Sequence, residues 1–150
     1  MAPKFTLQSV LDFRHSRVEA LEIELGNAIQ AHQRGLTFLD ALVDSQARIY
    51  SQMTECQQGE IDLFLIYRMQ ASLKMVNDRI EKQAALVDEL AAQVELKRIE
   101  LVTARQEEEA LEKLWEKERE RYQAEQAQIE SRTQDDIYIA RAYHSTLGAA

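Results

Sequence analysis

The side chains best suited to catalysis or metal binding are three histidines and one cysteine, and their spacing does not assemble a site. His15, His32 and His144 lie far apart in the sequence, and no Glu-x-x-His motif is present to build a di-iron centre. Cys56 has no histidine within a helical turn that could activate it as a nucleophile. We therefore expect no catalytic, cofactor-binding or metal-binding residues.

Nucleotide chemistry is equally poorly supported. A phosphate-binding loop needs glycines and a Gly-Lys-Ser/Thr sequence to aim backbone amides at phosphate, and the chain has none. The acidic run Glu107 to Glu109 is followed by Lys113, which favours a solvated helix face with a pair between Glu109 and Lys113. The sequence predicts a protein that is not an enzyme and has no small-molecule substrate.

Charge and composition limit the classes of partner and the cellular compartment that we expect. The net charge of -8 argues against binding to nucleic acid or to anionic lipid surfaces, because affinity for both comes mainly from Lys and Arg. The N-terminal residues lack the pattern of a signal peptide, and the longest apolar run, Leu63 to Tyr67, is too short to span a bilayer. A single cysteine fits a reducing compartment. We expect a cytoplasmic protein.

The elements that carry these residues are long helices. No Gly or Pro lies between Gly59 and Gly148, and apolar residues recur there with alternating spacings of three and four, the period of a left-handed coiled coil. The predicted seam of the first helix is Leu7, Leu11, Arg14, Val18, Leu21, Leu25, Ala28, His32, Gly35, Leu39, Leu42, Gln46, Ile49, Met53 and Cys56. That of the second is Ile66, Met69, Leu73, Val76, Ile80, Gln83, Val87, Leu90, Val94, Lys97, Leu101, Ala104, Glu108 and Leu111.

These patterns predict an all-α fold, an antiparallel two-helix coiled-coil hairpin forming a single domain. Helix 1 is expected at about 6–56, the turn at 57–59, helix 2 at about 60–143 and a frayed tail at 144–150. At 1.5 Å per residue the helices would measure roughly 75 Å and roughly 125 Å, so helix 2 overhangs beyond about Leu111. The main alternative is a four-helix bundle, which needs breaks near Gly26 or Gly35 and near Asn77.

The overhanging end of helix 2 is a candidate binding surface. Trp115, Tyr122, Ile129 and Ile139 continue the seam where the internal partner is expected to end, and large aromatic residues are favoured as binding anchors. A partner protein or a second copy of the chain would cover these residues. A solvated helix held by intrahelical ion pairs is the simpler interpretation.

A second set of apolar residues lies outside the seam near the turn, and we call it the turn-proximal surface. Tyr50 is expected level with Tyr67, and Val43 level with Met75. A docking surface for another protein or a locally broad apolar stripe would each explain the pattern. The residues outside the seam are Phe38, Val43, Tyr50, Phe64, Tyr67 and Met75, and the seam residues Leu42 and Met69 contribute from the edges of the surface. All of these except Phe64 are candidate partner-binding residues.

Several stretches resemble the FliJ family of flagellar type III export proteins, in order and over nearly the whole chain. They are the opening Phe-Thr-Leu-Gln-Ser-Val-Leu-Asp-Phe-Arg from Phe5, Leu25-Gly26, the segment 39–50, the Gly59 turn with the Leu- and Tyr-rich segment 63–73, Ala-Leu-Glu-Lys-Leu from Ala110, and Asp135-Asp136.

The resemblance implies a stalk similar to the gamma subunit of rotary ATPases. Such a protein sits in the central hole of the hexameric export ATPase, promotes its assembly and activity, touches the export gate membrane protein and escorts emptied export chaperones. Trp115 and Tyr122 would then face the ATPase, and the turn-proximal surface would face the gate. A structural coiled-coil scaffold and the stalk protein of a virulence secretion system are the alternatives.

Overall fold

The computed structural model describes residues 6–148, which form two α-helices. Helix α1 spans Gln8–Cys56 and helix α2 spans Leu63–Gly148, with 49 and 86 residues. The structure is 94% helical, and its described residues contain no strand. The two helices pack against each other antiparallel, as cross-helix contacts from Arg14 to Glu107 and from Gln46 to Asn77 indicate. The prediction of an all-α hairpin with unequal helices is confirmed.

The predicted seam is the face that each helix turns away from solvent. All of its positions from Leu11 to Cys56 in α1, and from Ile66 to Leu111 in α2, are buried or half-buried. A heptad pattern succeeds at this level because a period of 3.5 residues keeps one stripe facing the partner along the whole pair. The buried hydrophobic residues are Val18, Leu21, Leu42, Val87, Leu101 and Ala104.

The connection between the helices is longer than the three-residue turn expected at 57–59. Helix α2 begins at Leu63 instead of Glu60, because the Asp62 carboxylate caps it. Asp62 Oδ1 accepts hydrogen bonds from the backbone N–H groups of Phe64 at 3.0 Å and Leu65 at 3.4 Å. Gly59 turns the chain with a φ of 96°, in the left-handed region that favours glycine. At its other end α2 continues to Gly148, past the expected end at Tyr143.

The longer connection changes which residues face each other. A turn closing at Gly59 would place Arg14 near Thr103 and Glu24 near Gln93. The structure instead pairs Arg14 with Glu107 and Glu24 with Lys97, each about one helical turn further along α2. The expected end of the pairing therefore moves from Leu111 to about Trp115, which is half-buried.

Contacts within the chain form two compact units. The hairpin unit consists of residues 18–103 and contains the connection together with five of the six buried hydrophobic residues. The terminal unit brings residues 6–17 together with residues 104–148. In the terminal unit Ala104 is buried, Arg14 binds Glu107, and His15 Nδ1 lies 3.2 Å from Glu108 Oε1.

Both helices run unbroken through the positions at which a four-helix bundle would need turns. Helix α1 continues through Gly26 and Gly35, and α2 continues through Asn77 and Asp78. Asn77 Oδ1 accepts a hydrogen bond of 2.7 Å from Gln46 Nε2, so the Asn77 side chain links α2 to α1 within a continuous helix. The four-helix alternative is therefore excluded.

Lys97 is a charged residue in the seam, and it is held by carboxylates from both helices. Its Nζ lies 3.0 Å from Glu24 Oε2 on α1 and 3.4 Å from Glu100 Oε2 on α2. The hydrogen bond to Glu24, followed by that to Glu100, raises the pKa of Lys97 above its ordinary value of 10.5. A polar residue at a seam position helps to fix the register, because a slipped pairing would leave its charge without a partner.

This arrangement predicts a pH dependence of stability. Because the folded-state pKa of Lys97 is raised, charged Lys97 stabilises the folded chain. This contribution to the free energy of unfolding is fully present below pH 10.5 and is lost as the pH rises through the folded-state pKa. We expect the free energy of unfolding of Lys97→Met to fall less than that of the unsubstituted chain between neutral pH and about pH 11.5, at which Lys titration is well advanced. Urea unfolding at both pH values measures this difference. Equal declines for the two proteins would contradict the expectation.

Candidate functional site

The turn-proximal surface lies in the hairpin unit, and most of its predicted members are exposed. Phe38, Val43, Tyr50, Tyr67 and Met75 keep between 43% and 65% of their surface in contact with solvent. Burying such aromatic and thioether side chains against another protein removes apolar surface from water and is favourable. This surface can bind a protein through apolar contacts.

Two of the predicted members occupy a different place. Leu42 retains only 8% of its surface and belongs to the buried seam, and Met69 is half-buried there. Both were expected to contribute to the surface from its edges. A heptad seam position faces the partner helix, so Leu42 stabilises the hairpin beneath the surface rather than forming part of it.

The register also changes which residues of the surface are neighbours. The hydrogen bond from Gln46 to Asn77 places Tyr50, one helical turn further along α1, level with about Leu73 on α2. Tyr50 was expected level with Tyr67, which instead lies six residues before Leu73, more than one helical turn closer to the connection. Met75, two residues from Leu73, is thus closer in height to Tyr50 than Tyr67 is.

Two apolar residues around the connection extend this set, and the sequence pattern did not assign them to it. They are Ile61 and Leu63, which are 58% and 63% exposed and lie beside Phe64, a residue that the pattern did assign and that is 71% exposed. Ile61 precedes α2, so helical periodicity gives it no face. The unusually apolar stretch that follows Gly59 in the sequence could have identified these residues.

A shallow concavity on α1 lies beside Phe38. It combines this aromatic ring with neutral amides and one guanidinium, so it could accept a mixed polar and apolar segment of a partner. It is lined by Gln30, Gln33, Arg34, Thr37, Phe38 and Ala41.

The second candidate surface lies in the terminal unit. Trp115 and Tyr122 are half-buried, and every residue from Gln123 to Gly148 is exposed. This stretch nevertheless carries large apolar side chains, including Ile129, Ile139 and Tyr143 at the continued heptad positions, which are 54–64% exposed. A long exposed helix with such a stripe is suited to binding another helix or a protein groove.

The acidic run before this segment is not simply the solvated face that the sequence favoured. Glu107 and Glu108 contact Arg14 and His15 of α1, and the Glu108 side chain is only 15% exposed. The longer connection explains the difference, because it brings these glutamates opposite basic residues. The expected pair between Glu109 and Lys113 is present at 3.3 Å.

The described part of the chain offers little else that could do chemistry. Within residues 6–148 no group of three or more His, Cys, Asp or Glu side chains is arranged to hold a metal ion. Over the same residues, neither helix has a stretch apolar enough to cross a membrane. The two exposed apolar surfaces are thus the features from which function can be argued.

Comparison with known proteins identifies the family. The family model described as "Flagellar FliJ protein" matches residues 3–146 of the 150-residue chain. No curated protein and no solved structure matches the chain. Since the family match covers nearly the whole chain, this protein belongs to the FliJ family, whose members are non-catalytic components of flagellar protein export.

Proposed function

We propose that the chain is the central stalk of the flagellar export ATPase, promoting assembly and activity of the hexamer. The observation that carries this proposal is the continuation of α2 as an unbroken helix beyond Tyr122, with every later described residue exposed. A helix whose described residues are exposed over that length can present one continuous face to an enclosing ring. Trp115 and Tyr122 are the proposed anchors at the start of that face.

The proposal assigns the turn-proximal surface to the export gate. This membrane protein would contact exposed apolar residues of the hairpin unit, with Phe38, Val43, Tyr50, Tyr67 and Met75 at the interface. Export chaperones released from their cargo would be a third class of protein partner. The protein would then work in the cytoplasm, peripherally at the inner-membrane export apparatus.

The stalk assignment is tested by mixing the chain with the export ATPase from the same system. We expect faster ATP hydrolysis and more hexamer, measured by phosphate release and by analytical ultracentrifugation. Tyr122→Ala is expected to reduce the stimulation, because it removes an aromatic anchor from the proposed contact face. No stimulation by the unsubstituted, folded chain would exclude the stalk role and favour a structural scaffold.

Tyr67→Ala is the matched control for that experiment. It removes the same aromatic group from α2 but lies at the turn-proximal surface, so the ATPase stimulation is expected to persist. If Tyr67→Ala and Tyr122→Ala reduced stimulation equally, the contact would not be confined to the terminal unit. Circular dichroism of both variants checks that the helices are retained.

The gate assignment predicts the opposite pattern of effects. Tyr50→Ala combined with Met75→Ala is expected to weaken binding to the gate's cytoplasmic domain by about tenfold or more, since each removes an exposed apolar anchor. A titration followed by isothermal calorimetry measures the affinity, with Tyr122→Ala as the control expected to bind normally. Unchanged affinity in the folded double variant would remove this surface from the gate interface.

A further inference from the structure

The exposed end of α2 carries a sequence pattern that complements itself. Continuing the seam through this segment gives the positions Glu125, Ile129, Arg132, Asp136, Ile139 and Tyr143, and all six are exposed. Arg132 and Asp136 are equally far from Gln134, as are Ile129 and Ile139. Two such helices placed antiparallel about Gln134 would therefore put Ile129 of each copy opposite Ile139 of the other. They would also put Arg132 of each copy opposite Asp136 of the other.

We propose that this segment is a homodimer interface, in which the α2 ends of two copies form an antiparallel coiled coil centred at Gln134. Such an interface is isologous: the same patch serves both copies, and every contact occurs twice. In an antiparallel coiled coil the two kinds of seam position, a and d, face each other, and all three pairs obey this rule. The pairs are Arg132 with Asp136, Ile129 with Ile139, and Glu125 with Tyr143.

Burial and charge both favour a second copy as the occupant. Ile129 and Ile139 are 54% and 63% exposed, and pairing them removes this surface from water. The two Arg132–Asp136 pairs would supply opposite charges at the centre. At the ends, the Glu125 carboxylate already accepts a hydrogen bond of 3.2 Å from Arg121 Nε, so its charge is partly compensated where it would meet Tyr143.

The same residues disfavour the parallel arrangement. A parallel pair in register would set Arg132 against Arg132, Asp136 against Asp136 and Glu125 against Glu125, which makes three layers of like charge, the first two of them adjacent. Like charges at facing positions disfavour that pairing, and such repulsive elements contribute to specificity together with attractive contacts. The antiparallel dimer is therefore the arrangement that this segment specifies. It does not depend on the proposed stalk role.

Charge reversal in the full-length chain tests the dimer. Sedimentation equilibrium of the unsubstituted chain is expected to show a reversible dimer of micromolar affinity. Arg132→Asp and Asp136→Arg should each weaken it by about tenfold or more, because each puts like charges into both central pairs. A 1:1 mixture of the two variants restores opposite charges in both pairs, so it should dimerise again.

Arg141→Asp is the matched control, since it makes the same charge change on the side of α2 away from the seam and should leave dimerisation unchanged. A chain that stays monomeric even at millimolar concentration would overturn the proposal. So would a dimer that neither single reversal weakens, or a mixture that fails to recover. The dimer would use the same face of α2 that is proposed to contact the ATPase ring, so the two complexes would be mutually exclusive. Dimerisation is therefore measured with the chain alone, and ATPase stimulation is measured separately.

Discussion

Leu21→Ala is expected to lower the free energy of unfolding by about 2–4 kcal/mol, as truncation of a fully buried leucine does when the surrounding structure collapses only partly. Leu21 is the most deeply buried large side chain described, with 1% of its surface exposed. A two-helix interface has one buried stripe and no second layer, so few neighbours can move to fill the space. Urea unfolding followed by circular dichroism measures the change as a lower midpoint with an unchanged slope.

Ile23→Ala provides the control for this experiment. The side chain lies two residues away on the same helix and is 67% exposed, so its truncation removes little buried surface. We expect a change within about 0.5 kcal/mol, the usual range for surface substitutions. Comparable losses for Leu21→Ala and Ile23→Ala would mean that the Leu21 seam position is not the buried face of α1 in solution.

From Leu11 onward the seam was predictable residue by residue because a single periodic rule governs it, whereas the predicted seam residue Leu7 precedes α1 and is 40% exposed. Even the polar members His32, Gln83 and Lys97 lie at least half-buried, as their heptad positions require. Their neighbours could not be predicted in the same way. Pairing of Lys97 with Glu24 depends on the offset between the helices, and periodicity within each helix carries no information about that offset.

The offset was set by three residues that the pattern misassigned. The predicted helix start at about residue 60 put Glu60 and Asp62 in the first turn of helix 2, where acidic side chains interact favourably with the helix dipole. The Asp62 carboxylate instead caps the helix from outside, and residues 60–62 join the connection. Choosing between a cap and a first-turn acid requires backbone geometry. The resulting shift of one turn relocated every predicted cross-helix neighbour.

The candidate surfaces were predictable only in outline. Exposure of Tyr50, Tyr67 and Met75 follows from their positions outside the heptad seam, and the structure agrees. Burial of Leu42 could have been read from the same pattern, because Leu42 is itself a seam residue. Which partner binds each surface depends on another molecule's shape and charge, and one chain does not encode that information in its periodicity.

Gly35 and Gly26 differ in surroundings, so the same substitution is expected to stabilise the hairpin less at Gly35 than at Gly26. A Cβ at Gly35 would lie 3.1 Å from Leu90 Cδ1 and 3.3 Å from Val87 Cγ2, so the helices approach closely there. The Gly35 carbonyl also accepts a hydrogen bond of 3.0 Å from Gln83 Nε2. At Gly26 a Cβ would meet no heavy atom of the described chain within 4 Å.

Gly35→Leu is therefore expected to destabilise the hairpin by about 1–3 kcal/mol or more, because a larger side chain forces the packed helices apart. Gly26→Ala should stabilise it by up to about 1 kcal/mol, since alanine favours the helix and meets no obstacle. Gly35→Ala gains the same helix preference but must displace Leu90 and Val87, so its stability should fall between those of the other two variants. Urea midpoints measured in that order would establish close helix approach at Gly35. Equal stabilisation by Gly26→Ala and Gly35→Ala would show that the helices are further apart at this position than the 3.1 Å contact requires.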